Sequence, residues 1–279
     1  MPERLPRATR HGALRVPEIT ALFWVIKALS TAMGESTSDY LVHRFAPVPA
    51  VLAVFAVFVG ALGLQFWVRR YTAATYWLAV VMVGVFGTMA ADVLHVGFHV
   101  PYLVSSLLYA VALAAVFVAW QRSERTLSFH SIDTVRREAF YWAAVVTTFA
   151  MGTAVGDLTA VTLHLGYLAS GIFFLALIAV PALGYWRFRW NAILAFWLAY
   201  VVTRPLGASF ADWMGKPQAL GGLGLGDGVV AGASGALIVV LVGYLAVTRR
   251  DVQAAGAGGG AGRHRDAPRG IQTSPEPVD

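Results

Sequence analysis

The chain has 279 residues, of which 58% are hydrophobic and 13% are charged, and it contains no cysteine. A soluble domain carries roughly 25% charged residues and could not bury so much apolar surface, and disordered chains have the opposite composition. The lack of cysteine excludes disulfide scaffolds, thiolate zinc sites, iron–sulfur clusters and catalytic cysteines.

Apolar stretches of about 20 residues, the length of a helix that crosses the hydrocarbon core, recur along the chain. Eight are predicted, at 18–42, 47–68, 73–96, 101–121, 139–159, 164–186, 191–213 and 227–248. The fifth and sixth run together, and we expect a tight turn between Asp157 and Gly166. Continuous apolar stretches favour helices, because barrel strands would be shorter and would alternate in polarity. The expected fold class is all-α: a polytopic integral membrane protein with eight transmembrane helices.

The basic residues are distributed unequally between the two sides of these spans. Seventeen of the 21 lysines and arginines lie in the N-terminal tail, the even-numbered connections and the C-terminal tail. Arg44 and Lys216 lie in odd-numbered connections, and Lys27 and Arg204 lie inside spans. This excess predicts that both termini are cytoplasmic. Because topology accounts for the net charge of +6, the lipid bilayer is expected as a partner and nucleic acid is not.

The spans divide the chain into five parts. Residues 1–17 are a cytoplasmic N-terminal tail, 18–121 a first half, 122–138 an Arg-rich cytoplasmic linker, 139–248 a second half, and 249–279 a cytoplasmic tail. The last part is rich in Gly, Ala and Pro, which predicts disorder. The first apolar stretch is too long for a cleavable signal peptide and lacks a small-residue cleavage site, so we expect it to be retained as a span.

One motif recurs in every odd-numbered span. It consists of an aromatic residue and a Trp, a Gly ten residues after the Trp, and an Asp five residues after the Gly. The four copies contain Trp24, Gly34 and Asp39; Trp77, Gly87 and Asp92; Trp142, Gly152 and Asp157; and Trp197, Gly207 and Asp212. Each copy is followed by a plainer span, so the chain contains four two-helix repeats. Since two helices return the chain to the same side, the four repeats are expected to be parallel rather than inverted.

The spacing of the motif predicts a depth for each of its residues. The four tryptophans are expected near the cytoplasmic interface, as membrane anchors. At 1.5 Å per residue the glycines lie about 15 Å further along, near mid-membrane, where they would allow close helix packing. The aspartates lie about 22 Å from the tryptophans, in the outer third of the membrane. Symmetry then predicts four carboxylates near one depth.

The aspartates and Glu35 are the predicted cation or proton site. Glu35 lies four residues before Asp39 and shares its helix face. An ionisable residue inside a span costs roughly 2.5–3.5 kcal/mol and is a functional hypothesis by default. Clustered carboxylates would repel one another unless some are protonated or a cation lies among them, and such oxygens suit hard cations. The alternative is a structural role, in which each Asp binds nearby backbone at a helix end.

Three histidines extend the hypothesis to metal binding. His43, His95 and His164 follow a motif aspartate by four, three and seven residues, and the fourth copy has Lys216 in the corresponding place. Mixed Asp and His ligands would favour Mn, Fe, Zn or Co over Mg and Ca. Histidines near a membrane interface are also commonly plain solvated side chains, which is the alternative interpretation.

The first and last copies carry additional charges. Lys27 lies three residues after its Trp, and Arg204 lies in a Thr-Arg-Pro sequence in which Pro205 should kink the helix. A buried Arg204 requires an acidic partner, for which Glu35 or a motif Asp is the candidate. Lys27 either pairs with an acid or extends its ammonium group toward the interface.

The four copies also carry a resemblance to a known family. The segments MGESTSDYL (33–41), FGTMAADVLH (86–95), MGTAVGDLTA (151–160) and RPLGASFADW (204–213) resemble bacterial inner-membrane proteins built from tandem copies of a short domain of unknown function. These proteins are usually labelled only as uncharacterized membrane-anchored proteins. The resemblance implies a bacterial polytopic protein with four repeats in the inner (plasma) membrane, and it implies no substrate or catalytic residue.

Three functions are compatible with these residues. The first is a transporter of a divalent metal cation, Mn(II)-like, that uses the aspartate cluster and, without an ATPase module, an ion gradient. The second is a proton-coupled carrier of a small organic solute, with Arg204 binding an anionic group. The third is an intramembrane enzyme, or a metal- or haem-binding protein without transport. No cofactor is certain, and a divalent metal ion is expected only as substrate or ligand.

Overall fold

The computed structural model describes residues 14–253. Most of the two predicted tails therefore lies outside the described residues. The described chain contains eight long helices and no strand: α1 (Ala21–Arg44), α2 (Pro47–Val68), α3 (Ala73–Asp92), α4 (Tyr102–Glu124), α5 (Val135–Asp157), α6 (Tyr167–Phe188), α7 (Ala192–Gly215) and α8 (Asp227–Thr248). The all-α prediction is confirmed for this part of the chain.

Seven of these helices, α2 to α8, are long and apolar enough to cross a membrane. The exception is α1, which is interrupted by charged and hydroxyl side chains such as Lys27, Ser30 and Glu35, all of them buried. These polar residues face the protein interior rather than the surface. The turn between α5 and α6 lies at 163–166, inside the interval predicted for it.

The four odd-numbered helices form a closed inner ring. α1 packs on α3, α3 on α5, α5 on α7, and α7 packs back on α1. The inner helices α3, α5 and α7 bury more than half of their most apolar stretch, and the even-numbered helices bury less than a third. The axis of this ring is where the repeats meet.

The even-numbered helices lie outside the ring, each against the inner helix of the following repeat. α2 packs mainly on α3, α4 on α5, α6 on α7, and α8 on α1. α1 and α2, although joined by a short connection, make few contacts. The sequence repeat is therefore a two-helix unit of the chain, and the packed pair consists of helices from two successive units.

The outer helices end alike. They are followed by Arg69, Arg125, Arg189 and Arg249, each in the left-handed conformation with φ of 52–55°. This conformation costs roughly 1–2 kcal/mol for a residue with a Cβ atom, but positive charge at a helix C-terminus is favourable. We call the end of the bundle that carries these arginines the basic end, and the opposite end, where the motif aspartates lie, the acidic end.

An extended segment before α1 closes the basic end. The Arg15 backbone N–H donates to the carbonyl of Ile132, and the Tyr71 N–H donates to that of Leu14. The buried Arg15 guanidinium pairs with the carboxylate of Glu138 near the start of α5. This segment therefore connects α1 to the connections that follow α2 and α4.

Candidate functional site

The aromatic residues of the motif form a belt around the axis near the basic end. The first aromatic residue of each copy contacts the Trp of the next copy, and the fourth copy contacts the first. The ring centroids are 5.6 Å apart for Phe23–Trp77, 5.6 Å for Tyr76–Trp142, 6.1 Å for Tyr141–Trp197 and 5.9 Å for Phe196–Trp24. The hydroxyl groups of Tyr76 and Tyr141 also hydrogen-bond to each other. The belt is thus a continuous layer of aromatic contacts across all four repeats.

The motif tryptophans of this belt are largely buried within the bundle, whereas their predicted role as anchors at the membrane interface stays a prediction. Trp77, Trp142 and Trp197 are at most 5% exposed, and Trp24 is partly buried. Trp197 also donates its indole N–H to the Leu127 carbonyl at 3.0 Å. These side chains lie inside the bundle because each packs against the neighbouring repeat, a contact that composition alone does not reveal.

The motif glycines lie at the closest approaches of the inner helices. A Cβ atom added to Gly34 would meet the Cα of Gly84 at 2.9 Å, one added to Gly87 the Cβ of Phe149 at 2.8 Å, one added to Gly152 the side chain of Arg204, and one added to Gly207 the side chain of Thr31. Each contacted residue stands seven positions after the Trp of the next copy. The same small-residue contact therefore recurs at all four interfaces of the ring.

Arg204 occupies the axis beyond these contacts. Its Nη2 donates to Glu35 Oε2 at 2.6 Å, to Thr153 Oγ1 at 2.7 Å, and to Thr88 Oγ1. Glu35, Thr88 and Thr153 directly follow the motif glycines of the first three copies, and the fourth copy has Ala208 there. A single arginine of the fourth repeat thus contacts the same position in the other three. We call these four residues the Arg204 cluster.

Lys27 lies on the basic side of the Arg204 cluster. It is fully buried, and its Nζ lies 3.8 Å from the ring centroid of Phe149 and 4.1 Å from that of Tyr200. The corresponding residues of the second and third copies are Val80 and Val145. Within residues 14–253, Lys27 makes no ion pair and its Nζ has no hydrogen-bond partner.

Three carboxylates converge at the acidic end. Glu35, Asp39 and Asp212 each offer an oxygen, and these oxygens lie within 4.8 Å of one another. Glu35 and Asp39 come from α1 and Asp212 from α7, which are neighbours in the ring. We call these three residues the acidic cluster. Carboxylate oxygens at this separation could bind a hard cation.

Lys216, which follows α7, already lies beside the acidic cluster. Its Nζ pairs with Asp39, and lies 3.8 Å from Asp212 Oδ1 and 4.0 Å from Asp227 Oδ2. Burial acts to lower the pKa of Lys216, but these three carboxylates outweigh it and hold the pKa above its ordinary value. Lys216 is therefore an ammonium ion at neutral pH, and a second cation has to compete with it.

The other two motif aspartates lie close to this cluster without joining it. Asp92 and Asp157 are partly exposed, at the ends of α3 and α5, and both lie within electrostatic range of Glu35. After each of them the helix continues as one turn of π-helix, Val93–Gly97 and Leu158–Thr162. Such turns occur frequently at functional sites. The structure thus brings two of the four aspartates together with Glu35 and leaves two beside them.

The three candidate histidines do not belong to the acidic cluster. His43 is exposed, with its Nδ1 2.7 Å from the backbone oxygen of Asp39, and His164 is exposed with φ of 54°. His95 stacks on Tyr102 and its Nδ1 contacts the Val100 carbonyl at 2.7 Å. Among the described residues, the only group of three or more potential ligands contains carboxylates alone.

Some residues of the site were not singled out by sequence reasoning. Thr88 and Thr153 contact Arg204, and Phe149 contacts Lys27. The available signal was register: both threonines occupy the position of Glu35 in their own copies. Because Glu35 was the expected partner of Arg204, this register also made the two threonines candidates for contact with it.

Comparison with known proteins agrees with the repeat. Four segments of the chain, 22–71, 75–126, 140–190 and 195–251, match the family described as Repeat of Unknown Function (DUF347). No curated protein matches the chain, and no solved structure does. The matched segments cover most of the chain and coincide with the four motif copies, so the protein belongs to the DUF347 repeat family, with four tandem repeats.

Proposed function

We propose that all eight helices cross a bacterial inner membrane, with both termini in the cytoplasm and the four repeats parallel. The apolar length of seven helices supports this topology, and α1 would be shielded from lipid on its polar side by the ring. The arginines that end all four outer helices lie at one end of the bundle, as expected for a cytoplasmic face.

Cysteine labelling tests this topology, because the native chain has no cysteine. His130→Cys changes an exposed residue at the basic end, and Leu223→Cys an exposed residue at the acidic end. In intact cells, a membrane-impermeant maleimide should label the cysteine at 223 and should reach the one at 130 only after lysis. Labelling at position 130 in intact cells, alone or together with position 223, would contradict the proposed orientation.

We further propose that the protein transports a small cation, of the divalent Mn(II) type, through the acidic cluster. The observation that carries this proposal is the convergence of Glu35, Asp39 and Asp212 within 4.8 Å at one end of the ring axis. An oxygen-only ligand set suits Mn, Mg or Ca, so Mn(II) remains compatible without the histidines. Asp92 and Asp157 would add negative potential at the entrance and attract cations to it.

Transport through this axis has to pass three resident cations, Lys216, Arg204 and Lys27. Lys216 pairs with Asp39, so an arriving cation must displace it. Further along lie Arg204, which is paired with Glu35, and Lys27, whose positive charge would repel a dication. Passage along the axis would therefore need the Arg204 contacts to open.

A second candidate function is a proton-coupled carrier of a small organic anion. Lys27 and Arg204 on the axis favour it, because a substrate carboxylate could pair with either cation. The aspartates would then carry protons rather than bind metal. The two functions differ in the charge of the transported solute, which transport measurements distinguish directly.

Uptake by the purified protein in proteoliposomes tests the cation proposal. The parent should accumulate radioactive Mn(II) under an imposed proton gradient, and Asp39→Asn and Asp212→Asn should each lower the uptake rate at subsaturating metal at least about tenfold, since each removes a ligand charge. Asp133→Asn, which changes a carboxylate at the basic end, is the matched control and should behave as the parent.

The result that would overturn metal transport is equally specific. It is the absence of uptake by the parent across Mn, Zn, Co, Ni, Fe and Mg, or uptake that is unchanged in both cluster variants. Proton-dependent uptake of an organic anion, lost in the same variants, would instead support the second candidate.

A further inference from the structure

Lys27 is a buried cation whose position lacks an obvious reason in packing. Two of its counterparts in the other copies are valines, which fill the same layer without charge. Its Nζ lies over the rings of Phe149 and Tyr200, and it has no ion pair or hydrogen bond within the described chain. Cation–π contacts compensate about 2 kcal/mol in a desolvated site, less than the several kcal/mol lost when an ammonium group leaves water.

Arg204 presents unused donors in the same region. Its Nη2 makes all the hydrogen bonds to the other three members of the Arg204 cluster. Its Nε and Nη1 are buried without a partner among the described residues. The centre of its guanidinium lies 5.2 Å from the centroid of Phe149, the ring that Lys27 also contacts. Two cationic groups therefore lie over the same aromatic ring, and both have N–H donors without a partner among the described residues.

The neighbouring carboxylates do not balance this charge. Glu35 neutralises one of the two cations, Arg204. Asp39 lies twelve residues beyond Lys27 along α1, about 18 Å at 1.5 Å per residue, and pairs with Lys216. Glu138, at the basic end, pairs with Arg15. Buried charges are normally paired, and a protonated Lys27 has no carboxylate partner among the described residues of the layer around Phe149.

We propose that a small inorganic anion, of the size and charge of chloride, binds between Lys27 and Arg204 beside Phe149. The free groups there are donors, Lys27 Nζ and Arg204 Nε and Nη1, which is the chemistry of an anion site and not of a cation site. This site lies on the basic side of the acidic cluster and contacts it through the Arg204–Glu35 pair. The bound anion would compensate Lys27 and hold Arg204 in place on the axis.

Chloride binding to the purified full-length protein tests the proposal. Equilibrium dialysis with radioactive chloride should show saturable binding to the parent. The thermal unfolding midpoint should be higher in sodium chloride than in sodium gluconate at equal ionic strength, because a ligand of the folded state stabilises it. Lys27→Met should bind chloride at least about tenfold more weakly, as expected for loss of a charged donor.

Two controls make the outcome specific. Arg136→Met removes an exposed arginine, 67% accessible, and should bind chloride as the parent does. Asp39→Asn disables the acidic cluster and should leave chloride binding intact, so that failure of metal transport and failure of the anion site are distinguished.

The proposal is overturned if the parent shows no saturable chloride binding, as expected if Lys27 is an uncharged amine. It is also overturned if Lys27→Met binds chloride as tightly as the parent. If Lys27→Met does not fold, the thermal unfolding midpoints of the parent in sodium chloride and in sodium gluconate decide whether the proposal holds. Equal midpoints in the two salts would exclude a bound halide.

Discussion

Replacing Arg204 with methionine is expected to lower the free energy of unfolding by about 3–5 kcal/mol, the cost of breaking a buried ion pair from one side. Glu35 would remain buried without its partner, and the hydroxyls of Thr88 and Thr153 would each lose a donor. The measurement is denaturant unfolding of the purified protein in detergent, followed by tryptophan fluorescence.

The matched variant combines Arg204→Met with Glu35→Gln. Because both charges are removed, most of the lost stability should return, whereas Glu35→Gln alone should destabilise the protein by leaving Arg204 unpaired. If the single and double variants are equally unstable, the ion pair is not the interaction that holds the axis together. A single variant within about 0.5 kcal/mol of the parent, as for a surface substitution, would contradict the cluster itself.

Gly207→Val is expected to be the most damaging substitution at a motif glycine. A Cβ atom at Gly207 would overlap the side chain of Thr31, and the Ala28 carbonyl lies only 3.2 Å from its position. Overpacking a well-packed interior typically costs about 1–3 kcal/mol and occasionally more. Since α7 and α1 cannot separate without opening the ring, we expect the upper end of this range. The measurement is the yield of monodisperse protein and its unfolding midpoint.

The control for this variant is Gly60→Val in the outer helix α2. A Cβ atom at Gly60 has no neighbour within 4 Å, so the substitution should be close to neutral or slightly stabilising through better helix propensity. Equal effects at the two positions would show that the cost arises from glycine replacement in general and not from the α7–α1 contact.

The boundaries of the helices could be predicted closely from apolar length. The predicted spans 47–68 and 227–248 have the same limits as α2 and α8, and the turn between α5 and α6 falls in its expected interval. The regular motif also indicated that one helix type is repeated. Both features depend on local sequence, which is why they could be read without a structure.

The packing partners of the helices could not be predicted in this way. Both faces of an outer helix are apolar, and lipid and protein make similar demands on such a surface. Nothing in the sequence of α2 therefore shows that it packs on α3 rather than on α1. For the same reason, the sequence did not reveal that Trp77, Trp142 and Trp197 are buried against neighbouring repeats.

The part of the candidate site that could be predicted is the buried ion pair, because burying an unpaired charge is costly. Buried Arg204 needed an acid, and Glu35 is the acid that it contacts. The contacts of Lys216 with Asp39 and Asp227 depend on how α1, α7 and α8 meet at the acidic end, and no spacing along the chain encodes that. The separation of the histidines from the acidic cluster has the same origin.

The packing of α8 on α1 has a consequence for biogenesis. The chain is synthesised from its N-terminus, so under the proposed topology α1 would enter the membrane before α8, the outer helix that packs on it, has been made. Glu35 likewise lacks its partner Arg204 at this stage, because Arg204 is synthesised 169 residues later. Assembly of the first helix is therefore finished by the last two, and contacts of such long sequence separation are expected to form slowly.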